Sequence, residues 1–233
     1  MGLVTMHGDD VWSEWLLHRR HADDPNYGCL VQSVVQGFAD RVLDGAQLAA
    51  GMTLVDVGAG EGLVAFRAID RIGPSKPGGR ISIAEPILQD EALYARALRR
   101  RVDDRTSQSA DRFLTLLHRW KAAQFPDTEE ECAASPIANF SERDLLNMVR
   151  GAGFSEIHLQ LHIDVMPSLI TSWDVFIGTS PHPWAPPLRQ IFAEQFTTAE
   201  RELFEQMVRP TVESGKSITT ERTAYVQAQK LLP

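Results

Sequence analysis

Apolar residues between positions 10 and 48 recur every three or four residues, which predicts helices. Pro25 and Gly28 interrupt this pattern, so a loop is expected over residues 21–28. A short apolar run follows at 53–57, rich in β-branched residues and bordered by glycines. That composition and length are typical of a strand buried on both faces of a parallel sheet. The chain is therefore expected to open with helices and then to enter a sheet.

The rest of the chain alternates helical and strand-like patterns. Ser141 with Asp144, and Thr197 with Glu200, have the spacing of capping boxes, which mark helix starts. The predicted elements, in chain order, are a helix at 61–72, a turn at 73–79, a second buried strand at 80–86, helices at 88–125, an exposed acidic loop at 125–136, a helix from Ser141 to about Gly151, an alternating strand at 155–165, a helical pair within 186–209 that ends before Pro210, and a last strand at 217–229.

Composition narrows the class of protein. The 233 residues carry a net charge of −8, which argues against nucleic acid or an anionic membrane as a partner. The sequence contains no apolar run of 18 residues, so no transmembrane helix is expected. The first residues lack the features of a secretory signal. Cys29 and Cys132 lie far apart without a second cysteine nearby, which favours two reduced thiols in the cytoplasm. His158 and His162 lie on a strand at a spacing that suits a metal only on a helix, so no metal site is expected.

The segment "VDVGAGEG" carries the most specific chemistry. It places Gly58, Gly60 and Gly62 between the predicted strand at 53–57 and the predicted helix that follows. Glycines there let the backbone turn sharply and approach a ligand closely, and the helix start directs free N–H groups at it. Asp56, at the end of the strand, could order the loop or meet a positively charged group. An ordinary strand-to-helix turn would show the same pattern.

Four segments in succession resemble one family. "MTLVDVGAGEG" is similar to the first motif of class I S-adenosylmethionine-dependent methyltransferases, and "KPGGRISIAEP" to the segment that leads into their fifth strand. "FSERDLLNMVRGAGFSEIHLQL" resembles the following helix and sixth strand, and "SITTERTAYVQAQK" resembles the seventh. The order of these segments agrees with the family over most of the chain. The resemblance implies methyl transfer from S-adenosylmethionine, with S-adenosylhomocysteine as product, to a small-molecule acceptor.

The resemblance also implies which residues bind. Trp15, Arg19 and His21 belong to an aromatic and basic segment that suits a lid over an acceptor, although an amphipathic helix with a solvated basic side has the same pattern. Tyr94 could approach the acceptor or pack in the core. No catalytic base is assigned, since methyl transfer to an acidified hydroxyl needs only proximity. The expected cofactor-binding residues are Asp56, Gly58, Ala59, Gly60, Glu61, Gly62 and Glu85. A structural cap at the strand end is an equal alternative for Glu85.

The chain departs from the family between its first and fifth strands. Three strand–helix units, roughly 70 residues at mean element lengths, are missing at the junction of Ser75 and Lys76. Losing the carboxylate that holds the ribose there would alone weaken cofactor binding by ~10–100-fold. The gap fits a natural truncation, a deliberate deletion or a segment lost from the record. Since the family's strand order is 3-2-1-4-5-7-6, the strands equivalent to 1, 5, 7 and 6 remain.

The expected fold is thus an α/β protein with a truncated Rossmann-like sheet and helical caps. The edge of strand 53–57 would be exposed in it, and a homodimer is expected to cover that edge. The alternative function is a non-catalytic family member that binds cofactor weakly or not at all and acts through dimerisation. The expected units are an N-terminal cap at 1–50, a core at 51–87 and 139–233, a helical insertion at 174–212 within that core, and a helical lid at 88–138.

Overall fold

The computed structural model describes residues 11–49, 64, 67, 68, 80–104 and 112–229. Within these residues the protein is a mixed α/β structure, as the sequence predicts. The predicted strand at 53–57 and the turn at 73–79 lie outside the described residues, together with most of the predicted helix at 61–72.

Helices account for most of the described chain. Asp24 caps α2 by accepting a hydrogen bond from the backbone N–H of Tyr27 at 2.8 Å, and Pro25 takes the first helical position. This helix therefore begins inside the loop predicted at 21–28. A π-helical turn, Trp15–Arg19, extends α1. The described helices are α1 (Val11–Glu14), α2 (Pro25–Gly45), α3 (Gln89–Asp103), α4 (Arg112–Gln124), α5 (Glu129–Ala134), α6 (Glu142–Gly151), α7 (Trp173–Gly178), α8 (Leu188–Gln195) and α9 (Thr198–Glu213).

Three strands form one sheet: β1 (Arg80–Pro86), β2 (Ser155–Pro167) and β3 (Ile218–Gln229). The spatial order is β1-β3-β2, so the last strand in sequence lies in the middle. It runs antiparallel to both neighbours. All three occupy positions where the sequence predicts strands, and β1 and β2 are the two outer strands of the described sheet.

The two faces of the sheet differ because side chains alternate along each strand. Ala224 and Val226 of β3 face α6, which packs on them through Leu145 and Val149. Tyr225, between them in sequence, lies on the opposite face, where its ring stacks on Phe38 of α2. One face is thus an apolar core and the other is partly polar. The buried residues of the apolar face are Ile87, Leu145, Val149, Ala224, Val226 and Ala228.

A second hydrophobic cluster lies among α4, α7, α8 and α9. Phe204 is fully buried there, and its ring contacts the rings of Phe113, Trp120, Phe192 and Phe196 with centroids 5.5–5.9 Å away. Aromatic packing therefore dominates the helical part, whereas the core of the sheet is aliphatic. The buried residues of this cluster are Leu116, Trp173, Leu188, Ile191, Phe192, Phe204 and Val212.

Two sequence predictions are wrong at helix boundaries. The acidic loop expected at 125–136 contains α5, because Thr128 and Glu131 form a capping box with both reciprocal hydrogen bonds. Three glutamates in its first turn also favour a helix start, since the helix dipole is positive there. The last helix, α9, continues past Pro210 to Glu213, because the proline lacks only its own N–H donor while its carbonyl still accepts a hydrogen bond from the backbone N–H of Ser214 at 3.1 Å.

Candidate functional site

Most of the predicted cofactor-binding residues lie outside the described part of the chain. Asp56, Gly58, Ala59, Gly60, Glu61 and Gly62 all lie outside the described residues, and so does the junction at Ser75 and Lys76. Glu85 is the predicted cofactor-binding residue that the structure describes.

Glu85 lies near the end of β1, directly opposite Ala224 of β3. It shares the apolar face of the sheet with Ile83, two residues earlier, which packs against the aliphatic core. This surrounding raises the pKa of the Glu85 carboxyl, because burial disfavours its charged form. A half-buried carboxyl at a strand end can accept or donate hydrogen bonds to a ligand hydroxyl or amine.

Trp15 and Arg19 hold the N-terminal segment against the proline-rich loop at 180–187. The indole N–H of Trp15 donates to the carbonyl of Ser180 at 2.9 Å, and Arg19 Nη2 donates to the carbonyl of Pro183 at 2.7 Å. The backbone N–H of Ser180 donates in return to the carbonyl of Arg19 at 3.0 Å. Residues 12–21 therefore act as a strap tied to this loop, hereafter the N-terminal strap.

Aromatic rings complete this junction. Trp12 makes edge contacts with Trp15 and Trp184, with centroids 6.2 and 5.3 Å away. Buried His182 bonds through Nε2 to the carbonyl of Gln124 at 2.6 Å. Burial, reinforced by the positive charge of Arg19, lowers the pKa of His182, so its neutral form is favoured.

His21 and Tyr94 occupy different surroundings. The ring of His21 lies over Gly28, and its Nδ1 is buried without a hydrogen-bond partner. Tyr94 is exposed on α3, where the Lys121 ammonium lies 5.8 Å from its ring centroid. Among the described residues, no hydrogen bond or ring contact joins Tyr94 to Trp15, so the four predicted acceptor-binding residues are not shown as one site.

A polar groove of about 420 Å³, which was not predicted from the sequence, lies on the α2 side of the sheet. Arg41 Nη1 donates to His162 Nδ1 at 3.2 Å, and the guanidinium lies 5.6 Å above the ring of Tyr225. His162 makes an edge contact with the same ring at 5.0 Å. The Tyr225 hydroxyl is buried beside the Arg41 guanidinium; burial raises its pKa, and the interaction with Arg41 opposes that shift. The groove is lined by Arg41, Asp44, Gly45, Gln160, His162, Tyr225 and Gln227.

The groove combines a cation with an aromatic wall. Arg41 presents the cation beside Nδ1 of His162, and the ring of Tyr225 supplies a flat apolar surface. The signal available in the sequence was the polar side of the alternating strand β2, where His158 and His162 were considered only as metal ligands. Arg41 and Tyr225, far from it in sequence, gave no such signal.

A smaller cavity of about 220 Å³ lies between α3 and the segment around α5. Cys132 lines it, and burial raises the pKa of its thiol, which keeps the sulfur protonated and unreactive. Within the described ranges, no group of three or more His, Cys, Asp or Glu residues is arranged to hold a metal ion. None of the described helices is long and apolar enough to cross a membrane.

Comparison with known proteins adds no assignment. No protein-family model matches this sequence, and no curated protein matches it significantly.

Proposed function

We propose that the chain is a methyltransferase of the S-adenosylmethionine-dependent class I type, acting on a small-molecule acceptor. The observation that carries the proposal is the strand order β1-β3-β2. The resemblance assigns these strands to positions 5, 7 and 6 of the family sheet, which are adjacent in that order. Three strands allow other orders, including one with β1 beside β2, so the agreement supports the assignment of all three segments.

Glu85 is the described residue whose surroundings show whether the end of β1 suits binding of the cofactor. Its carboxyl is half-buried and has no charged partner among the described residues, so it retains hydrogen-bonding capacity for a ligand at the end of β1. When bound, S-adenosylmethionine supplies an electrophilic methyl group for in-line transfer to an O, N or C nucleophile. Asp56, the glycine loop at 58–62 and Glu85 would hold it, and the N-terminal strap would cover the acceptor.

A titration with S-adenosylhomocysteine, followed by calorimetry, tests this proposal. Micromolar binding would support it, and protection from thermal unfolding should accompany binding because the ligand binds only the native state. Glu85→Gln should weaken binding by at least about tenfold, since it removes a hydrogen bond to a charged group.

Glu130→Gln is the matched control, because Glu130 is exposed on α5. The Glu85→Gln variant should also fold at least as well as the wild type, since it replaces a half-buried carboxyl by a neutral amide. Absence of any heat up to millimolar ligand would overturn the methyltransferase proposal. The chain would then fit the second candidate, a non-catalytic family member, which the exposed outer strand β2 described below favours.

A further inference from the structure

The outer edge of β2 has the properties of an interaction surface. This strand is 13 residues long and pairs with β3 on one side, and no described strand pairs with its other side. Its only described irregularity, a bulge between Ser155 and His158, lies at one end of the strand. A long regular edge presents unpaired N–H and C=O groups to which another strand can add.

Apolar side chains continue along this edge beyond the helix that covers the sheet. Ile157 and Leu159 pack against the core beneath α6. Ile163 and Val165 lie on the same face but are 53% and 65% exposed, and Ile218 on β3 is 71% exposed. Apolar residues this exposed, side by side on a strand pair, are typical of a surface that a partner covers.

The sequence of β2 is complementary to itself when two copies run antiparallel with Leu161 on a two-fold axis. His158 of each copy then lies opposite Asp164 of the other, so that an imidazole N–H can donate to a carboxylate twice across the axis. Leu159 lies opposite Ile163, and Leu161 lies opposite its own copy, so apolar residues meet on one face. On the other face Gln160 lies opposite His162, and Glu156 lies opposite Met166 towards the strand ends.

Neighbouring registers lack this match. Moving the axis to Gln160 places Glu156 opposite Asp164, which are like charges, and moving it to His162 places that histidine opposite itself. A shift by one residue would place apolar side chains opposite polar ones. The pattern therefore favours one register over the others.

We propose that β2 is a dimerisation strand whose partner is β2 of a second copy of this chain. The two sheets join into one across the axis, and the contact is isologous and closed. In this dimer, Ile163 and Val165 of one copy lie opposite Leu159 and Ile157 of the other copy, whose α6 covers them. Each α6 therefore extends over apolar residues that are exposed in a single copy of the partner. Met148, 58% exposed on α6, lies on the helix that would make this contact. The proposal does not depend on cofactor binding.

Sedimentation equilibrium on the full chain without ligand tests the assembly. The wild type should be a dimer at micromolar concentration. Leu161→Lys places two cations at the axis, so its dissociation constant should rise at least tenfold. Leu169→Lys is the matched control, because Leu169 is a 42% exposed leucine that follows β2 and should leave the dimer intact. Circular dichroism confirms that both variants fold.

Oxidative cross-linking tests the register in the Cys29→Ser background, because Cys29 is an exposed thiol. Leu161→Cys should form a disulfide-linked dimer, since two residues at the axis have Cβ atoms about 4.5–5.5 Å apart. Val165→Cys should not, since position 165 lies opposite position 157 in the proposed register.

A monomeric wild type would overturn the proposal and leave the surface to a different partner. A wild-type dimer that Leu161→Lys does not weaken, or one in which Val165→Cys cross-links as readily as Leu161→Cys, would place the interface elsewhere. Open-ended oligomers would exclude the closed two-fold contact.

Discussion

At the scale of single residues, the junction of the N-terminal strap with residues 180–187 has unsatisfied polar atoms. Arg19 Nε, His21 Nδ1 and His182 Nδ1 are buried in the described structure without a hydrogen-bond partner. Each such atom costs about 1–3 kcal/mol when desolvated, so this junction is less stable than its many contacts suggest.

The buried His182 gives a pH dependence of stability. Because its pKa is lowered in the folded protein, the unfolded chain binds more protons as the pH falls below about 6.5. The free energy of unfolding should therefore decrease as pH falls from 7.5 to 5.5, by at most about 1.4 kcal/mol per pH unit for one proton. Urea unfolding at several pH values measures this slope.

His182→Gln should flatten that slope, because it removes the buried imidazole. His18 acts in the opposite direction, because its hydrogen bond to Asp23 raises its pKa, but it is the same in the wild type and in the variant. Equal slopes in the wild type and His182→Gln would contradict the assignment.

At the scale of secondary-structure elements, the contact between α2 and the sheet depends on one small residue. A Cβ added at Gly45 would lie 2.5 Å from Nε2 of Gln227 and 2.8 Å from Oγ of Ser82, both on the sheet. At Gly37, on the same helix, nothing lies within 4 Å of an added Cβ. Alanine substitutions at the two glycines therefore distinguish the effect of packing against the sheet from the effect of helix propensity.

Gly45→Ala should lower the free energy of unfolding by about 1 kcal/mol, because the side-chain ends of Gln227 and Ser82 must rotate away from the new methyl group. Gly37→Ala should raise it by up to about 1 kcal/mol. Chemical denaturation monitored by circular dichroism distinguishes the two. Stabilisation by both substitutions would mean that α2 moves freely relative to the sheet.

Most of these elements could be predicted from the sequence, and each prediction that was wrong has a physical cause. The alternating strand β2 and the capping boxes at Ser141 and Thr197 are local signals, and the structure confirms them. The helix at Glu129–Ala134 was missed because its apolar content is low and the capping box alone starts it. The Arg41–Tyr225 contact depends on strand order, which no local pattern contains.

At the scale of the whole molecule, the described chain has two separate hydrophobic clusters, one aliphatic on the sheet and one aromatic among the helices. All five tryptophans lie outside the strands, so tryptophan fluorescence reports on the helical part. The lid at 88–138 and the insertion at 174–212, predicted from the sequence as separate units, supply all the buried residues of the aromatic cluster except Trp173.

Phe204→Ala should cost about 3–5 kcal/mol, since it removes a fully buried ring that contacts four others. Hydrogen exchange should show lost protection in the helices around α9 and retained protection in β3, because the two clusters are distinct. Val226→Ala, in the aliphatic cluster, should give the reverse pattern. Equal loss in both regions would show that the clusters unfold as one unit.

The position of β3 has a consequence for synthesis of the protein. The middle strand of the sheet is the last one to be translated, so β1 and β2 leave the ribosome without the partner that both need. At about 5–20 residues per second, the 131 residues between Pro86 and Ile218 take roughly 7–26 s to make. During that interval the nascent chain exposes first one and then two unpaired strands, which makes it a substrate for chaperones until β3 emerges.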